Sequence, residues 1–123
     1  MAEKKVVIAV VAIIAIVAVL GVVVLYHDGV IGATSIKTIT DNPSEWYNRN
    51  VMVKGTYRGY VPILDVYLVN DSSGPGLGIA FKFEGIISIS KGDAIVVSGE
   101  VEAGIFGIPY IVATDIHEPW VLK

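Results

Sequence analysis

The feature that most constrains this chain is an unbroken apolar run close to its start. Residues Val6 to Tyr26, VVIAVVAIIAIVAVLGVVVLY, contain no charge, no amide and no proline over 21 residues. As a helix this run is about 30 Å long, which matches the hydrocarbon core of a bilayer. In lipid every backbone amide has to pair within its own segment, so a helix is expected despite the many β-branched residues. The run therefore predicts a transmembrane helix over residues 6–26.

The flanks of the run indicate its orientation. Lys4 and Lys5 precede it and Asp28 follows it, so the positive-inside rule places residues 1–5 in the cytoplasm and the remaining chain outside. The run is longer than the apolar region of a cleaved signal peptide, and Ile31-Gly32-Ala33 is a poor cleavage site. We predict a signal anchor in the cell membrane that carries an extracytoplasmic domain.

The chain after this helix has the composition of a small water-soluble domain. Residues 27–34, HDGVIGAT, are predicted to be a short tether, and residues 35–123 the domain. From His27 onward five Lys and two Arg stand against eleven Asp and Glu, a net charge of 7 − 11 = −4. An acidic domain is a poor general binder of nucleic-acid phosphates. The chain has no cysteine, which excludes disulfides and thiolate metal sites, and no metal site is predicted.

Turn residues divide the domain into five predicted strands. These are Val51–Tyr60, Ile63–Asn70, Leu77–Glu84, Ala94–Glu102 and Tyr110–His117, with a turn at Asp71–Gly76 between the second and third. Alternation places Val66 and Leu68 inward and Tyr67 and Lys82 outward. Short strands, a first strand that can bend at Gly55 and Gly59, and no long helix between strands favour a closed barrel.

One helical turn is predicted ahead of the strands. Asp41-Asn42-Pro43-Ser44-Glu45 combines a capping residue with a proline at a first helical position. Ser35–Thr40 alternates in polarity and predicts a short extended piece, and Trp46 and Tyr47 are expected to fold the turn onto the barrel. The fold class expected is an N-terminal transmembrane α-helix plus an all-β five-stranded barrel with one short helical turn.

The domain sequence also carries a resemblance to a known fold. The stretch from Ile36 to Ile116 contains NPSEWYNRNVMVKGTYRG, YLVNDSSG, ISKGDAIVVSGEV and PYIVATDI, and it resembles the oligonucleotide/oligosaccharide-binding (OB) fold of the tRNA-anticodon-like type. The resemblance implies an OB-like barrel with a ligand face on its second and third strands. That face would present Arg58, Tyr60, Tyr67 and Lys82. Such a face can stack single-stranded nucleic acid, or these side chains can simply cover the sheet.

A second, weaker resemblance concerns the C-terminal end. Asp115 and His117 fall on one face of the last predicted strand, and no G-x-S-x-G motif supplies a serine for a catalytic triad. The architecture is similar to that of the haem chaperone of cytochrome c maturation, which has one span, an OB barrel and a haem-linking histidine past the last strand. This implies haem at His117 with Trp120 nearby, although Val121 stands where that family has tyrosine. An exposed His-Asp pair is the alternative.

The last predicted hairpin is unusually apolar for a loop. Gly104–Pro109 contains Ile105, Phe106 and Ile108, which either contact a partner or plug the end of the barrel. The loop Gly85-Ile86-Ile87 presents the same choice.

These observations favour a binding or assembly module over an enzyme. We expect a domain without catalytic residues or cofactor that contacts a protein partner or copies of itself through the hairpin and the second and third strands. Three alternatives stay open: a haem-chaperone-like protein, a pilin-like filament subunit, whose leader, apolar run and β domain follow the same order, and a single-stranded nucleic-acid binder. The pilin alternative requires cleavage just before the apolar run.

Overall fold

The chain forms one long helix followed by a small β-barrel. The computed structural model describes residues 2–73, 76 and 78–123. The helices are α1, Ala2–His27, and α2, Ile36–Asp41, and 3₁₀ turns occur at Pro43–Glu45 and Ile105–Gly107. The strands are β1, Asn50–Val61; β2, Val66–Asn70; β3, Ile79–Lys82; β4, Ala94–Ala103; and β5, Pro109–His117.

The five strands close into a barrel in the order β1-β2-β3-β5-β4. β3 and β5 are parallel, and the other neighbouring pairs are antiparallel. β1 joins both halves, because Thr56 lies opposite Asn70 of β2 and also opposite Ala94 of β4. Each of the described strands therefore has a hydrogen-bonded neighbour on both sides. The expected fold class, an apolar N-terminal helix with a five-stranded barrel, is confirmed.

β1 bends where the sequence predicted a bend. Its register with β2 shifts between Tyr57 and Gly59, leaving Arg58 in a bulge. Gly59 has φ of 97°, a conformation that side-chain-bearing residues rarely adopt. The bulge turns the end of β1 away from β4 and carries it along β2.

Alternating residues of the strands fill the barrel interior. Val53, Phe81, Ile95, Val97 and Ile111 are fully buried and belong to one cluster. The short helix α2 adds Ile36 and Ile39, three residues apart and therefore on one helical face, to the same cluster.

Two predictions about the second strand were wrong. Ile63, Leu64 and Asp65 form a turn instead of strand, because Asp65 takes φ of 53° and its N–H bonds back to Pro62. The predicted facing is also wrong in the second half of the strand. Val69, opposite Ile79, enters the core in place of Leu68.

Tyr67, predicted to face outward, packs half-buried against the core because it lies opposite Phe81. Val66 is buried as expected. β3 is shorter than predicted at its C-terminal end, and the predicted positions Gly74, Pro75 and Leu77 lie outside the described residues.

The segment before β1 contains two helical elements where one was predicted. The turn at Pro43–Glu45 is present with its proline at the start. Ser35–Thr40, predicted as extended, instead contributes α2, whose N-terminus is capped by the Ser35 side chain accepting from the Thr38 N–H. Trp46 and Tyr47 pack against the core as expected, and Tyr47 pairs with Val101.

Helix α1 is long and apolar enough to cross a membrane. The segment Glu3–His27 has a mean hydropathy of 3.5 in its most apolar window, and none of that window is buried inside the protein. The core helix of a soluble protein would be mostly buried. A membrane anchor and a signal sequence both have the properties seen here.

A matched pair of phenylalanines tests the core. Phe81→Ala removes a fully buried ring and is expected to lower the free energy of unfolding by about 3–5 kcal/mol. Phe106→Ala is the same change at a side chain that is 96% exposed, and its effect should stay within about 0.5 kcal/mol. Urea unfolding of the full chain in detergent, followed by circular dichroism, measures both. Equal losses would contradict this assignment of the core.

Candidate binding surfaces

A row of aromatic rings runs from the core to the β1–β2 end of the barrel. The centroid of Tyr67 lies 5.5 Å from Phe81, 6.3 Å from Tyr57 and 5.1 Å from Tyr60. Tyr60, the most exposed member, donates its hydroxyl hydrogen to Asp65 Oδ1 at 2.5 Å. This hydrogen bond, together with partial burial and the Asp65 charge, raises the pKa of Tyr60. The rings give this end of the barrel a stacking surface beside a carboxylate.

A cavity of about 650 Å³ adjoins this row. Its lining includes Tyr67, Lys82, Asp65 and Glu84. Lys82 Nζ lies 5.4 Å from the centroid of the Tyr110 ring, a cation–π distance. The described lining thus places two carboxylates around one ammonium group, an arrangement that disfavours a phosphate backbone.

The predicted ligand face is therefore only partly assembled. Tyr60, Tyr67 and Lys82 lie together around the aromatic row and its cavity. Arg58 is carried elsewhere by the β1 bulge and lines a separate depression with Lys54 and Lys123. The sequence could not show that Arg58 lies apart from the other three residues, because a bulge changes the face of the sheet that a residue occupies.

The apolar hairpin between β4 and β5 is exposed. Ile105, Phe106 and Ile108 expose 71%, 96% and 63% of their surface, so they do not plug the barrel. Backbone hydrogen bonds join Gly104 to Ile108 in a closed turn, and the Tyr47 hydroxyl donates to the Gly107 carbonyl at 2.9 Å. The two isoleucines of the loop after β3 differ in exposure: Ile87 packs against the core, whereas Ile86 is 95% exposed. The hairpin is an ordered, exposed apolar tip.

The segment predicted as a tether is packed between helix and barrel. Helix α1 ends in a Schellman motif, in which the Gly29 N–H bonds to the Tyr26 carbonyl and the Val30 N–H to the Leu25 carbonyl. Gly29 has φ of 72°, and a Cβ there would lie 2.9 Å from Lys54 Cβ. The Thr34 N–H then bonds to the Met52 carbonyl of β1 at 2.7 Å. The helix end is thus held directly against the barrel.

Asp28 is the centre of this joint. Its fully buried carboxylate accepts hydrogen bonds from the backbone N–H groups of Trp120, Val121 and Leu122 at 2.6, 3.0 and 2.9 Å. His27 Nδ1 lies 2.9 Å from its Oδ1. Burial alone would raise the pKa of Asp28, but the bonds from His27 and from the three backbone groups outweigh it and hold the pKa well below its ordinary value.

His117 and Trp120, the predicted haem residues, are part of the same joint. His117 Nδ1 lies 2.6 Å from Asp115 Oδ2, and Nε2 lies 2.7 Å from the His27 carbonyl oxygen. Trp120 stacks on the His27 ring, with centroids 3.4 Å apart and planes 9° apart. Iron needs a free lone pair on a ring nitrogen, and both nitrogens of His117 face acceptors here.

A serine does approach the His–Asp pair. Ser98 lies opposite Asp115 in the β4–β5 register and lines one groove with Asp115 and His117. Among the described residues no hydrogen bond joins the Ser98 hydroxyl to His117, whose Nε2 faces His27 instead. The three side chains are neighbours without the geometry of a catalytic triad.

Sequence reasoning missed the joint itself. His27 and Asp28 were assigned to the tether, with Asp28 used as a charge that indicates the orientation of the helix, and their partners lie about ninety positions later in the chain. The one local signal was an Asp immediately after an apolar helix and before Gly29, where a helix C-terminus would disfavour an unpaired carboxylate.

Comparison with known proteins identifies the fold alone. No family model matches the chain, and no curated protein matches it. Among solved structures, the hypothetical protein YgiW from E. coli has a TM-score of 0.54 at 19% identity and covers 69% of this chain and 87% of its own.

Two further similar structures are OBodies bound to hen egg-white lysozyme. OBody AM1L10 has a TM-score of 0.55 at 19% identity and covers 71% of this chain and 90% of its own. OBody AM2EP06 has a TM-score of 0.51 at 21% identity, with 68% and 88% covered. These neighbours and the closed barrel confirm the OB-like fold. The comparisons give the haem-chaperone resemblance no support.

Asp28→Asn tests the carboxylate at the joint. The amide carries no charge and only one oxygen, so the N–H groups of residues 120–122 lose acceptors and the C-terminal tail should leave the helix end. In a chain with Trp46→Phe, Trp120 is the only tryptophan, and its emission is expected to shift to the red. Asp41→Asn, at an exposed ion pair with Lys37, is the control and should cause no shift. An unshifted Asp28→Asn spectrum would contradict the role of Asp28.

The lowered pKa of Asp28 sets the pH range of this joint. Because the folded-state pKa lies below the unfolded value of about 3.9, the contribution of Asp28 to stability is complete above about pH 5. It is lost as the pH falls through the lowered folded pKa. The emission maximum of Trp120 in the same single-tryptophan chain should therefore shift to the red as the pH falls below about 4, and the Asp28→Asn chain should lack this acid shift. An acid shift of the same size in both chains would argue against a buried, ionised Asp28.

A haem titration tests the predicted cofactor. Because both ring nitrogens of His117 face acceptors, haem added to the full chain in detergent is expected to give no Soret shift that depends on this residue. The comparison variant is His117→Ala. A shift seen in the natural chain and lost in the variant would instead establish His117 as a haem ligand.

Proposed function

We propose that this protein is a membrane-anchored binding or assembly module that contacts a protein partner, or a second copy of itself, through its apolar hairpin. The observation that carries the proposal is Phe106, which is 96% exposed at the tip of an ordered turn. Burying a phenylalanine side chain stabilises a contact by about 1.5–3 kcal/mol. An aromatic ring held at this exposure suits a partner's pocket.

The backbone of the hairpin supports this role. Phe106 takes φ of 59° and ψ of 25°, an unfavourable conformation for a bulky residue. Tyr47, bonded to Gly107, ties the turn to the core side of the barrel. A tip that is already ordered loses little conformational entropy on binding.

The position of the hairpin suits a partner away from the lipid. Ser98 of β4 lies in the groove beside α1, and the hairpin begins after the far end of β4 at Ala103. At about 3.3 Å per residue, the tip lies roughly 20 Å along the barrel from the joint. The OBody neighbours are bound to lysozyme, so barrels of this fold can support protein contacts.

The aromatic row is the second proposed contact. This surface combines aromatic rings with positively and negatively charged groups, which suits a polypeptide. Its residues are Tyr60, Tyr67 and Lys82, with Asp65 and Glu84 beside them. Single-stranded nucleic acid is the less favoured occupant because of those two carboxylates and the net charge of the domain. The module is proposed to have no catalytic activity.

Anchoring by α1 is part of the proposal and has its own test. An uncleaved anchor predicts that the protein in its native membrane keeps the mass of the full chain and resists alkaline extraction. A mass that corresponds to a chain beginning near residue 6 would favour the pilin-like alternative. A mass that corresponds to a chain without the whole apolar run would show a cleaved signal sequence. Protease access in sealed vesicles would establish on which side the domain lies.

Phe106→Asp tests the partner contact. A carboxylate at this tip should abolish partner recovery or self-association, because it cannot enter an apolar pocket without losing its hydration. Chemical cross-linking in the native membrane, followed by gentle extraction, measures the effect. The matched control is Ile86→Asp, at an equally exposed apolar side chain on a different loop, and it should leave the cross-linked species unchanged. Unchanged assembly in Phe106→Asp with an intact fold would refute the proposed contact.

A further inference from the structure

Six large apolar side chains remain exposed around the end of α1. Three of them come from the end of α1 and the segment after it, and three come from the C-terminal tail. Their exposed fractions lie between 41% and 68%. We call this set the apolar collar: Tyr26, Val30, Ile31, Trp120, Val121 and Leu122. The bonds from residues 120–122 to Asp28 bring its two halves together.

The collar is continuous with the apolar surface of the helix. A groove of about 620 Å³ is lined by Val22 and Val23 of α1 together with Tyr26, Ile31 and Trp120. Because Trp120 shares a groove with Val22, it lies beside the last turns of the helix. If α1 spans a bilayer, Trp120 is therefore at the depth where the helix leaves the hydrocarbon. Tryptophan and tyrosine are enriched at that depth in membrane proteins.

A basic rim adjoins the collar. Lys54, Arg58 and Lys123 line one depression, against one carboxylate, Asp71, among its described lining residues. Lys54 also donates to the Leu122 carbonyl of the collar. These are three of the seven Lys and Arg residues in a domain with a net charge of −4. A cluster of cations in an otherwise acidic domain suits an anionic partner next to an apolar one.

We propose that the apolar collar binds the phospholipid surface of the leaflet at which α1 ends, with its side chains at the boundary of headgroups and acyl chains and the basic rim against the phosphates. This inference rests on the anchoring proposed above and adds that the C-terminal tail is a second membrane contact. Apolar side chains and phosphate-facing cations in one surface match the two parts of a phospholipid. A protein partner on the collar is the alternative outcome of the test.

The two tryptophans of the chain provide the experiment. Trp46 lies beside Tyr47, whose hydroxyl reaches the distal hairpin, whereas Trp120 is in the collar. The full chain is reconstituted in phosphatidylcholine vesicles with a minor fraction of phosphatidylglycerol, as Trp46→Phe, which keeps only Trp120, and as Trp120→Phe, which keeps only Trp46. The phosphatidylcholine is brominated either near the glycerol backbone or near the chain end, because bromine quenches tryptophan emission only at short range.

Trp120 is expected to be quenched several-fold more strongly than Trp46, and more by bromine near the glycerol than by bromine near the chain end. Adding Val121→Asp to the Trp120-only chain should weaken this quenching. Ile86→Asp in the same chain, at a 95% exposed side chain in the loop after β3, should leave it unchanged.

Vesicle flotation separates the two ways in which this can fail. If the protein floats with the vesicles and Trp120 is quenched no more than Trp46, the chain is anchored and the collar does not bind lipid, which overturns the inference. If Trp120 is protected from quenching only in samples in which another protein is recovered with the chain, the collar binds that protein. This result would also overturn the inference. If the protein does not float, the anchoring proposal fails and the inference falls with it.

Discussion

One buried carboxylate joins the two ends of this chain, and the geometry of the molecule depends on it. Asp28 sits where α1 ends and accepts three consecutive backbone N–H groups from the C-terminal tail. A carboxylate buried without such donors would be strongly destabilised. Its bonds therefore hold the C-terminal tail against the helix end. His117, bonded to the His27 carbonyl, adds a second link between β5 and the helix.

Closure of the barrel places the aromatic row and the apolar hairpin, neither of which is part of this joint, on different parts of the domain. Because β1 pairs with both β2 and β4, the aromatic row and the apolar hairpin are presented by different parts of one rigid body. The hairpin at the far end of β4 is exposed, whereas the residues near His117 are engaged with α1. In the proposed arrangement the face of the barrel that carries the joint meets lipid, and the hairpin meets a partner. Along β4 the two are separated by the residues from Ser98 to Ala103.

Local sequence patterns predicted those elements of the structure that are determined by residues close together in the sequence. Alternation placed Val66 inward, and the apolar run predicted α1. The errors occurred where a long-range contact decides the outcome. Ser35–Thr40 became α2 because Ser35 caps it and Asp71 accepts from the Ile36 N–H; the facing of β2 followed from its pairing with β3. The joint could not be predicted, since nothing near Asp28 in sequence indicates that residues 120–122 return to it.

The packed joint changes what the short tether implies. A flexible segment of eight residues would let the barrel rotate freely above the lipid, so a partner could approach the hairpin from many directions. Because the Thr34 N–H bonds to the Met52 carbonyl of β1 and His117 of β5 bonds to the His27 carbonyl, the barrel instead keeps a defined orientation relative to α1. Orientation fixed in this way reduces the rotational entropy lost when two membrane-held proteins meet. Under the proposed anchoring, the partner would therefore be held in the same membrane, with its binding site at the height of the hairpin.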